Sequence, residues 1–466
     1  MESKRLVYGV EETPPFFTLL LSGAQHVLTL FGSTTLVPFI FGQAMGMDAI
    51  QLASLISCVY LSMGIATLLQ TNKKLGSGLP IVQGSSFSFI PPVLTIIGIY
   101  GTLGPNTVMQ YIGGGLIAGG IFQAVIGYSG IIGWIKKFIT PVVIAPTIMA
   151  IGFSLSGTAV SSASTYWPIS IFVVAAIFTL SLVCKDKRIN IISVLLSVLL
   201  GYVVCLGLSL SGMIEANHPA FVDIKKIVEA PWIRDYSTVL SPWGMPKFDL
   251  VVFVILLSGF FAGIIESIGD YHSISYASDL PDPDSETIAK GIGSEGLGMI
   301  VSGFAGGVGC TSYTENIGLV NLTKVASRNV VRTGAIILIC MSFIGKLSAV
   351  VASMPQAVMG GAYLILFALI GSAGISIFFK SDVRSQRNLL IVGFSFLMAL
   401  GLPGWIDSNK ELFINDSYHW IANNVGRIIW SLLKSNMAVA GITAGILDSM
   451  IPGTKEERGI GKELKS

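Results

Sequence analysis

Glu266 lies deep in the apolar run Val251-Val-Phe-Val-Ile-Leu-Leu-Ser-Gly-Phe-Phe-Ala-Gly-Ile-Ile-Glu266, and Asp270 follows four residues later. On a helix that spacing puts both carboxylates on one face. A carboxylate accepts hydrogen bonds, and it can also take up a proton. Placed in lipid it is costly, and such acids usually mark a solute pathway or a proton relay. Asp270 could also simply end the helix near the membrane surface. Glu315 and Asn316 form a second polar pair, sited where an extended segment turns into a helix. A carboxylate there meets free backbone N–H groups and the positive end of the helix dipole, though a plain capping role would place it similarly. Gln25 and His26 form a third pair, inside the first apolar run, where a structural histidine is as good a reading as a functional one. Glu295 is a further acid entering an apolar segment and could line the same cavity, and Lys346 sits in a later one. That lysine would snorkel or pair.

Other arrangements carry no chemistry. His218, His272 and His419 have no metal-ligand spacing, and the five cysteines include no CxxC pair. Gly291-Ile-Gly-Ser-Glu-Gly296 fits GxGxxG but follows a polar loop, not a strand, so a dinucleotide site is excluded. Gly115-Leu-Ile-Ala-Gly119 fits GxxxG and predicts close helix packing. No GxxxxGK[ST] loop, HExxH or Ser-His-Asp arrangement occurs. An ATP-driven pump and a membrane enzyme both lose support, and a channel would not need paired buried acids. No cofactor is implied.

The elements that hold these residues are membrane helices. Of the 466 residues 52% are hydrophobic and only 12% charged, against about 25% charged in soluble proteins. The net charge of +2 gives no basic surface for nucleic acid. Continuous apolar runs cover 16–41, 48–70, 107–134, 141–160, 168–184, 190–213, 250–271, 333–353, 358–379, 388–406 and 435–451. Stretches 79–100, 291–308 and 310–326 are apolar but interrupted by Gly, Ser, Thr and Pro. The expected architecture is an all-α membrane protein of about 14 spans, with 407–434 left open for an interfacial helix near Trp420 to Leu433. With the N-terminus cytoplasmic, 20 of the 28 Lys and Arg fall on that side, 7 fall opposite, and Lys346 lies within a span. The positive-inside rule then sets both termini in the cytoplasm and requires an even number of spans. The longest polar connection, 214–249, is too short to fold as a separate domain.

Two interrupted spans resemble each other. Gly76-Ser-Gly-Leu-Pro-Ile-Val-Gln-Gly-Ser-Ser-Phe-Ser-Phe-Ile-Pro-Pro92 and Gly306-Gly-Val-Gly-Cys-Thr-Ser-Tyr-Thr-Glu-Asn-Ile-Gly318 each set a short Ser/Thr/aromatic run between glycines and an apolar half-span. These are spans 3 and 10, seven apart, and an odd repeat unit inverts the second copy. Leu21-Ser-Gly23 in span 1 and Leu257-Ser-Gly259 in span 8 echo the same offset. Extended backbone at membrane depth is tolerated only inside protein or against a cavity, and paired interrupted spans are the best sequence pointer to a transporter site.

Glu315-Asn-Ile-Gly-Leu-Val-Asn-Leu-Thr-Lys324 resembles the signature of the nucleobase–ascorbate transporters, [Q/E/P]-N-x-G-x-x-x-x-T-[R/K/G]. The flanking Thr311-Ser-Tyr-Thr and Val325-Ala-Ser-Arg328 are similar to that family too. So are Gln25-His26, Gly84-Ser-Ser-Phe-Ser-Phe89 and Glu266-Ser-Ile-Gly-Asp270, in the right order over most of the chain. The resemblance implies two inverted sets of seven spans, with short strands in spans 3 and 10. A core domain would combine 1–138 and 250–354, and a gate domain 139–249 and 355–466. It further implies that Glu266 and Glu315 bind the edge of a nucleobase, with Ser86, Asn316 and the backbone of Phe87 and Thr314 completing the site. Asp270, His26, Gln25 and Glu295 would couple or support. Glu315 at the signature's first position is similar to nucleobase members, whereas ascorbate members tend to have Pro there. Uracil permeases tend to have His where this chain has Asp270, while the Glu-Ser-Ile-Gly-Asp form is similar to xanthine and urate carriers. The expectation is therefore symport of a purine such as xanthine or urate, or of uracil, with protons as the simplest coupling ion and sodium as the other candidate. An ascorbate or inorganic-anion carrier of the same fold is the alternative. The expected place is the plasma (inner) membrane, with the lipid bilayer as surroundings and a homodimer as the assembly the resemblance allows.

Overall fold

The computed structural model describes residues 6–131, 140–186, 189–190, 192–235, 241–414, 425–426, 429–430 and 432–459. Lys4, Arg5, Lys136, Lys137, Lys187, Arg188, Arg427, Lys462 and Lys465, counted in the charge argument, lie outside these residues. So do His419 and much of the expected interfacial helix around Trp420.

The described helices fall into fourteen successive spans. Spans 1 and 2 are Phe16–Ala44 and Ala49–Gln70, the second opened by a capping box in which Asp48 and Gln51 satisfy each other's backbone N–H. Span 3 begins with strand β1, Gln83–Ser85, and continues through a tight turn at Phe87–Phe89 into helix Ile90–Tyr100. Span 4 is Pro105–Tyr128, span 5 Pro141–Ser154 with Ser156–Ala163, span 6 Trp167–Phe178 and span 7 Ser193–Leu210. Spans 8 and 9 are Leu250–Ala277 and Ser285–Ala305. Span 10 is strand β2, Cys310–Ser312, with helix Thr314–Thr323. Span 11 is Arg328–Ser342 with Gly345–Ala352, and spans 12, 13 and 14 are Gln356–Phe378, Gln386–Ser408 and Asn436–Met450. Eight of the described helices are individually long and apolar enough to cross a membrane.

Several boundaries differ from the sequence reading; span 8 runs to Ala277 rather than 271. Span 9 starts at Ser285 rather than 291, because the Asp284 side chain accepts from Thr287 N–H and nucleates the helix one turn into the polar loop. Span 11 starts at Arg328 rather than 333 and breaks at Phe343 and Ile344. There the chain pairs outward instead, with Arg234 N–H donating to Phe343 C=O and Gly345 N–H to Trp232 C=O.

The inverted repeat is visible in who packs on whom. Span 4 packs on span 9 as span 2 packs on span 11, and span 8 meets span 4 as span 1 meets span 11. A second set joins span 5 to spans 12, 13 and 14, span 12 to span 6, and span 13 to span 14. Small residues permit the closest of these approaches. A Cβ on Gly119 would fall 2.0 Å from the Phe260 ring and one on Gly127 2.2 Å from Gly293 N. The GxxxG stretch of span 4 is thus a packing face, as its spacing predicts.

The first and last described segments each fold back on a loop. Residues 6–13 lie along 324–329: Val7 and Tyr8 N–H donate to Lys324 C=O, and Ala326 N–H donates to Tyr8 C=O. Glu11 bridges Arg328 at 2.8 Å and Lys73 at 2.9 Å. Hydrogen bonding from Arg328, then from Lys73, holds its carboxyl well below the usual range, at about 2. The C-terminal segment docks through Asp448, buried between Arg387 at 2.9 Å and Arg458 at 2.8 Å, with Thr140 donating to it at 3.0 Å.

Candidate functional site

The two interrupted spans meet. β1 and β2 pair antiparallel with Gln83 opposite Ser312, Gly84 opposite Thr311 and Ser85 opposite Cys310. Each strand therefore satisfies the backbone of the other at a depth where water cannot. Gly84 is required there, since a Cβ would lie 2.1 Å from the Tyr313 ring. Each strand leads into a helix, so two helix N-termini start from one short ribbon. Pro91 and Pro92 occupy the opening turn of the span 3 helix, where a missing N–H costs nothing.

Span 8 runs past this ribbon and supplies the acids. Glu266 is half-buried and accepts one hydrogen bond, from Ser88 Oγ at 3.3 Å. Asp270, only 5% exposed, accepts from Thr314 Oγ1 at 2.9 and 3.2 Å. It lies a full turn and more inside a helix that continues to Ala277, so it does not mark the helix end. Glu315 stands in the first turn of the span 10 helix with its side chain open. Among the described residues no Lys or Arg forms an ion pair with Glu266, Asp270, Glu295 or Glu315.

The remaining expected residues divide. Asn316 is buried, and its Nδ2 reaches His26 Nδ1 at 2.9 Å and donates to His26 C=O at 3.0 Å, tying span 10 to span 1. His26 is 3% exposed, while the neighbouring Gln25 side chain is open. Ser86 is buried, its N–H donating to Gly309 C=O at 2.9 Å and its Oγ lacking a partner. The half-buried Phe87 ring meets Phe367 of span 12 edge-on at 6.5 Å, and Phe367 stacks on Tyr363 at 5.6 Å.

Glu295 does not line the opening. It is 1% exposed and sits behind β2, accepting from Tyr271 Oη at 2.8 Å, Ser312 Oγ at 2.7 Å, Ser312 N–H at 3.2 Å and Gln123 Nε2 at 3.3 Å. Four donors around one carboxylate make a fixed strut. Tyr271 in turn accepts from Gln70 Nε2 at 2.8 Å, and Gln83 Nε2 donates to Ser312 Oγ at 3.2 Å. Ser88, Tyr271, Ser312, Gln123 and Phe367 were not legible as partners, since each is an ordinary residue until the repeat folds it against an acid or an aromatic ring. Lys346 pairs with backbone. Its ammonium donates to the C=O groups of Ile227 and Val228, at 3.0 and 2.7 Å, so it holds the end of a short helix, Ile224–Glu229.

Exposed residues follow the acids on both helices, Gly269, Ser273 and Tyr276 on span 8 and Gly318 and Asn321 on span 10. Among the described residues no three His, Cys, Asp or Glu side chains cluster as a metal would require. The site offers two under-filled carboxylates, an open third, backbone N–H groups at two helix starts and an aromatic wall.

The family model described as "Permease family" matches residues 17–408. The chain belongs to this family. Among relatives of the permease, Solute carrier family 23 member 1 of Rattus norvegicus is 32% identical, covering 98% of this chain and 82% of its own. Nucleobase-ascorbate transporter 11 of Arabidopsis thaliana is 32% identical, over 97% of this chain and 70% of its own. Among solved structures, the transmembrane domain of a cyanobacterial bicarbonate transporter matches with a TM-score of 0.56 at 14% identity, covering 92% of this chain and 100% of that one. Murine Solute Carrier 26 family member A9, an anion transporter, matches with a TM-score of 0.57 at 12% identity, covering 84% and 66%. These likenesses give the fold, a multi-spanning inverted repeat. The permease is a membrane-embedded secondary transporter of a small solute and not an enzyme.

Proposed function

We propose that the permease imports a nucleobase, a purine such as xanthine or urate, or uracil, by proton symport. The observation that carries this reading is the arrangement of Glu266 and Glu315. Both are acceptors with no cationic partner among the described residues, and both face the meeting point of two helix starts. A planar base presents ring N–H donors, which carboxylates accept, and carbonyls, which helix-start N–H groups meet. The aromatic wall of Phe87 and Phe367 suits a flat ring. Ser86 Oγ and Asn316 Oδ1, buried without partners, supply further polar contacts. Asp270, one turn from Glu266, is the coupling acid, and His26 holds Asn316 in place. Spans 1–4 and 8–11 form the core that carries the site, spans 5–7 and 12–14 the gate against which it moves, with both termini in the cytoplasm of a plasma membrane.

A second reading, an ascorbate or inorganic-anion carrier on the same plan, has the stronger support from the relatives. The plant relatives carry ascorbate as well as nucleobase in their names, and the solved structures of like fold transport bicarbonate and anions. Against it stands the site's charge, since unpaired carboxylates repel an anion. Competition for uptake in proteoliposomes by uracil, xanthine, urate, adenine and ascorbate separates the two. Inhibition by bases alone supports the first reading, and inhibition by ascorbate alone replaces it with the second.

A further inference from the structure

A cavity opens between spans 3, 5 and 14. It has a volume of about 240 Å³, and its lining includes Pro91, Leu94 and Thr95 of span 3, Leu155 and Thr158 of span 5, and Lys434 just before span 14. Pro91 is one turn along span 3 from Phe87, so the cavity adjoins the candidate site along that span. The span 3 helix leads from the site to Tyr100 and span 4, away from the end that carries residues 6–13. The cavity therefore sits on the far half of the molecule, between two elements of the proposed gate and one of the proposed core.

Its walls are chemically specific. Leu94, Leu155 and Pro91 are apolar, Thr95 and Thr158 bring hydroxyls, and Lys434 brings a cation. The Lys434 ammonium is 2.7 Å from Asp407 and lies over the Trp430 ring at 4.8 Å. An ammonium has three N–H donors, and among the described residues Asp407 is the one acid paired with it. The space equals about eight waters at liquid density, enough for one small ring solute but below the size of a drug pocket.

We propose that this cavity is an outer waiting site for the transported solute, which it receives with its carbonyl or enolate oxygens on Lys434 before the ring passes Phe87. The order of charges is then cation first and carboxylates second. A flat solute with oxygens on one edge and N–H groups on the other is turned as it enters, its oxygen edge held outside and its N–H edge led to Glu266 and Glu315. The identity of that solute rests on the proposed function, but the charge and access of the cavity do not.

The test uses Thr158→Cys in a background whose five native cysteines are serine, labelled on intact cells with methanethiosulfonate reagents of equal size and opposite charge. The anionic reagent should react about tenfold faster than the cationic one, and Lys434→Met should abolish the preference. Equal rates before that change, no reaction with either reagent, or reaction with an apolar maleimide alone (a crevice filled by lipid) would overturn the proposal. In a second arm Thr158→Trp fills the cavity. It should raise the KM for whichever of xanthine or ascorbate is carried about tenfold with little change in kcat. An unchanged KM would also overturn it. If neither solute is transported, the proposed function falls while the labelling arm still decides the site.

Discussion

Replacing Glu295 separates a strut from a proton carrier. Its carboxylate takes four hydrogen bonds, and Ser312 N–H in β2 has no freedom to find another acceptor. Glu295→Ala leaves that N–H, the Gln123 amide and two hydroxyls facing a void. The hydroxyls can turn elsewhere, but a fixed buried donor costs about 1–3 kcal/mol and the amide a similar amount, so the loss is on the order of 4 kcal/mol. Glu295→Gln should be milder. The new amide oxygen keeps the Tyr271 and Ser312 bonds, and its NH₂ faces Gln123, whose Oε1 has no partner and can flip to accept. What is lost is charge assistance, about 1–2 kcal/mol. The assays are melting of the detergent-solubilised protein by tryptophan fluorescence and initial-rate uptake. The expected order of stability is wild type, Gln, Ala, with uptake following it. If Gln melts like wild type yet abolishes uptake as fully as Ala, the charge of Glu295 is itself used in transport and the strut argument is refuted.

Glu266→Gln should leave melting nearly unchanged, since Glu266 makes one long bond to Ser88, but cut uptake at least about tenfold. Asp448→Ala should destabilise by about 3–5 kcal/mol, measured by the same melt, because it strands Arg387 and Arg458. Glu11 has its carboxyl held at about 2, below its unfolded value, so its contribution is full above about pH 4.3 and lost as pH falls through 2. The side chain is 64% exposed, which limits that contribution to under about 1 kcal/mol, and Glu11→Gln should remove the effect in a melt series across that window. Gly127→Val should prevent folding, seen as loss of the monodisperse peak on size exclusion, since its Cβ would fall 2.2 Å from Gly293 N.

The spans were legible because lipid permits so few spanning backbones, and the interrupted pair at Gly84 and Gly309 because extended chain at that depth needs a partner. The acids were legible for the same reason, being the rare charges in apolar runs. What escaped the sequence was side-chain pairing between spans. Nothing local marks Ser88 for Glu266, Thr314's hydroxyl for Asp270 or Tyr271 for Glu295, because each contact joins two different spans. Glu295 looked like a cavity acid, yet the helix phase of span 9 turns it behind the strand. Lys346, read as a snorkelling or pairing lysine, pairs with a helix end that only the folded loop after span 7 brings to it.

The central claim is that unpaired carboxylates on spans 8 and 10 read the N–H edge of a base and couple its entry to protons. Radiolabelled xanthine uptake into proteoliposomes under an imposed inward proton gradient, for wild type beside Glu266→Gln, tests it most directly. Accumulation above equilibrium is expected, collapsing when the gradient is dissipated and absent in the variant. Sodium-driven ascorbate uptake that no base inhibits, retained in Glu266→Gln, would contradict it.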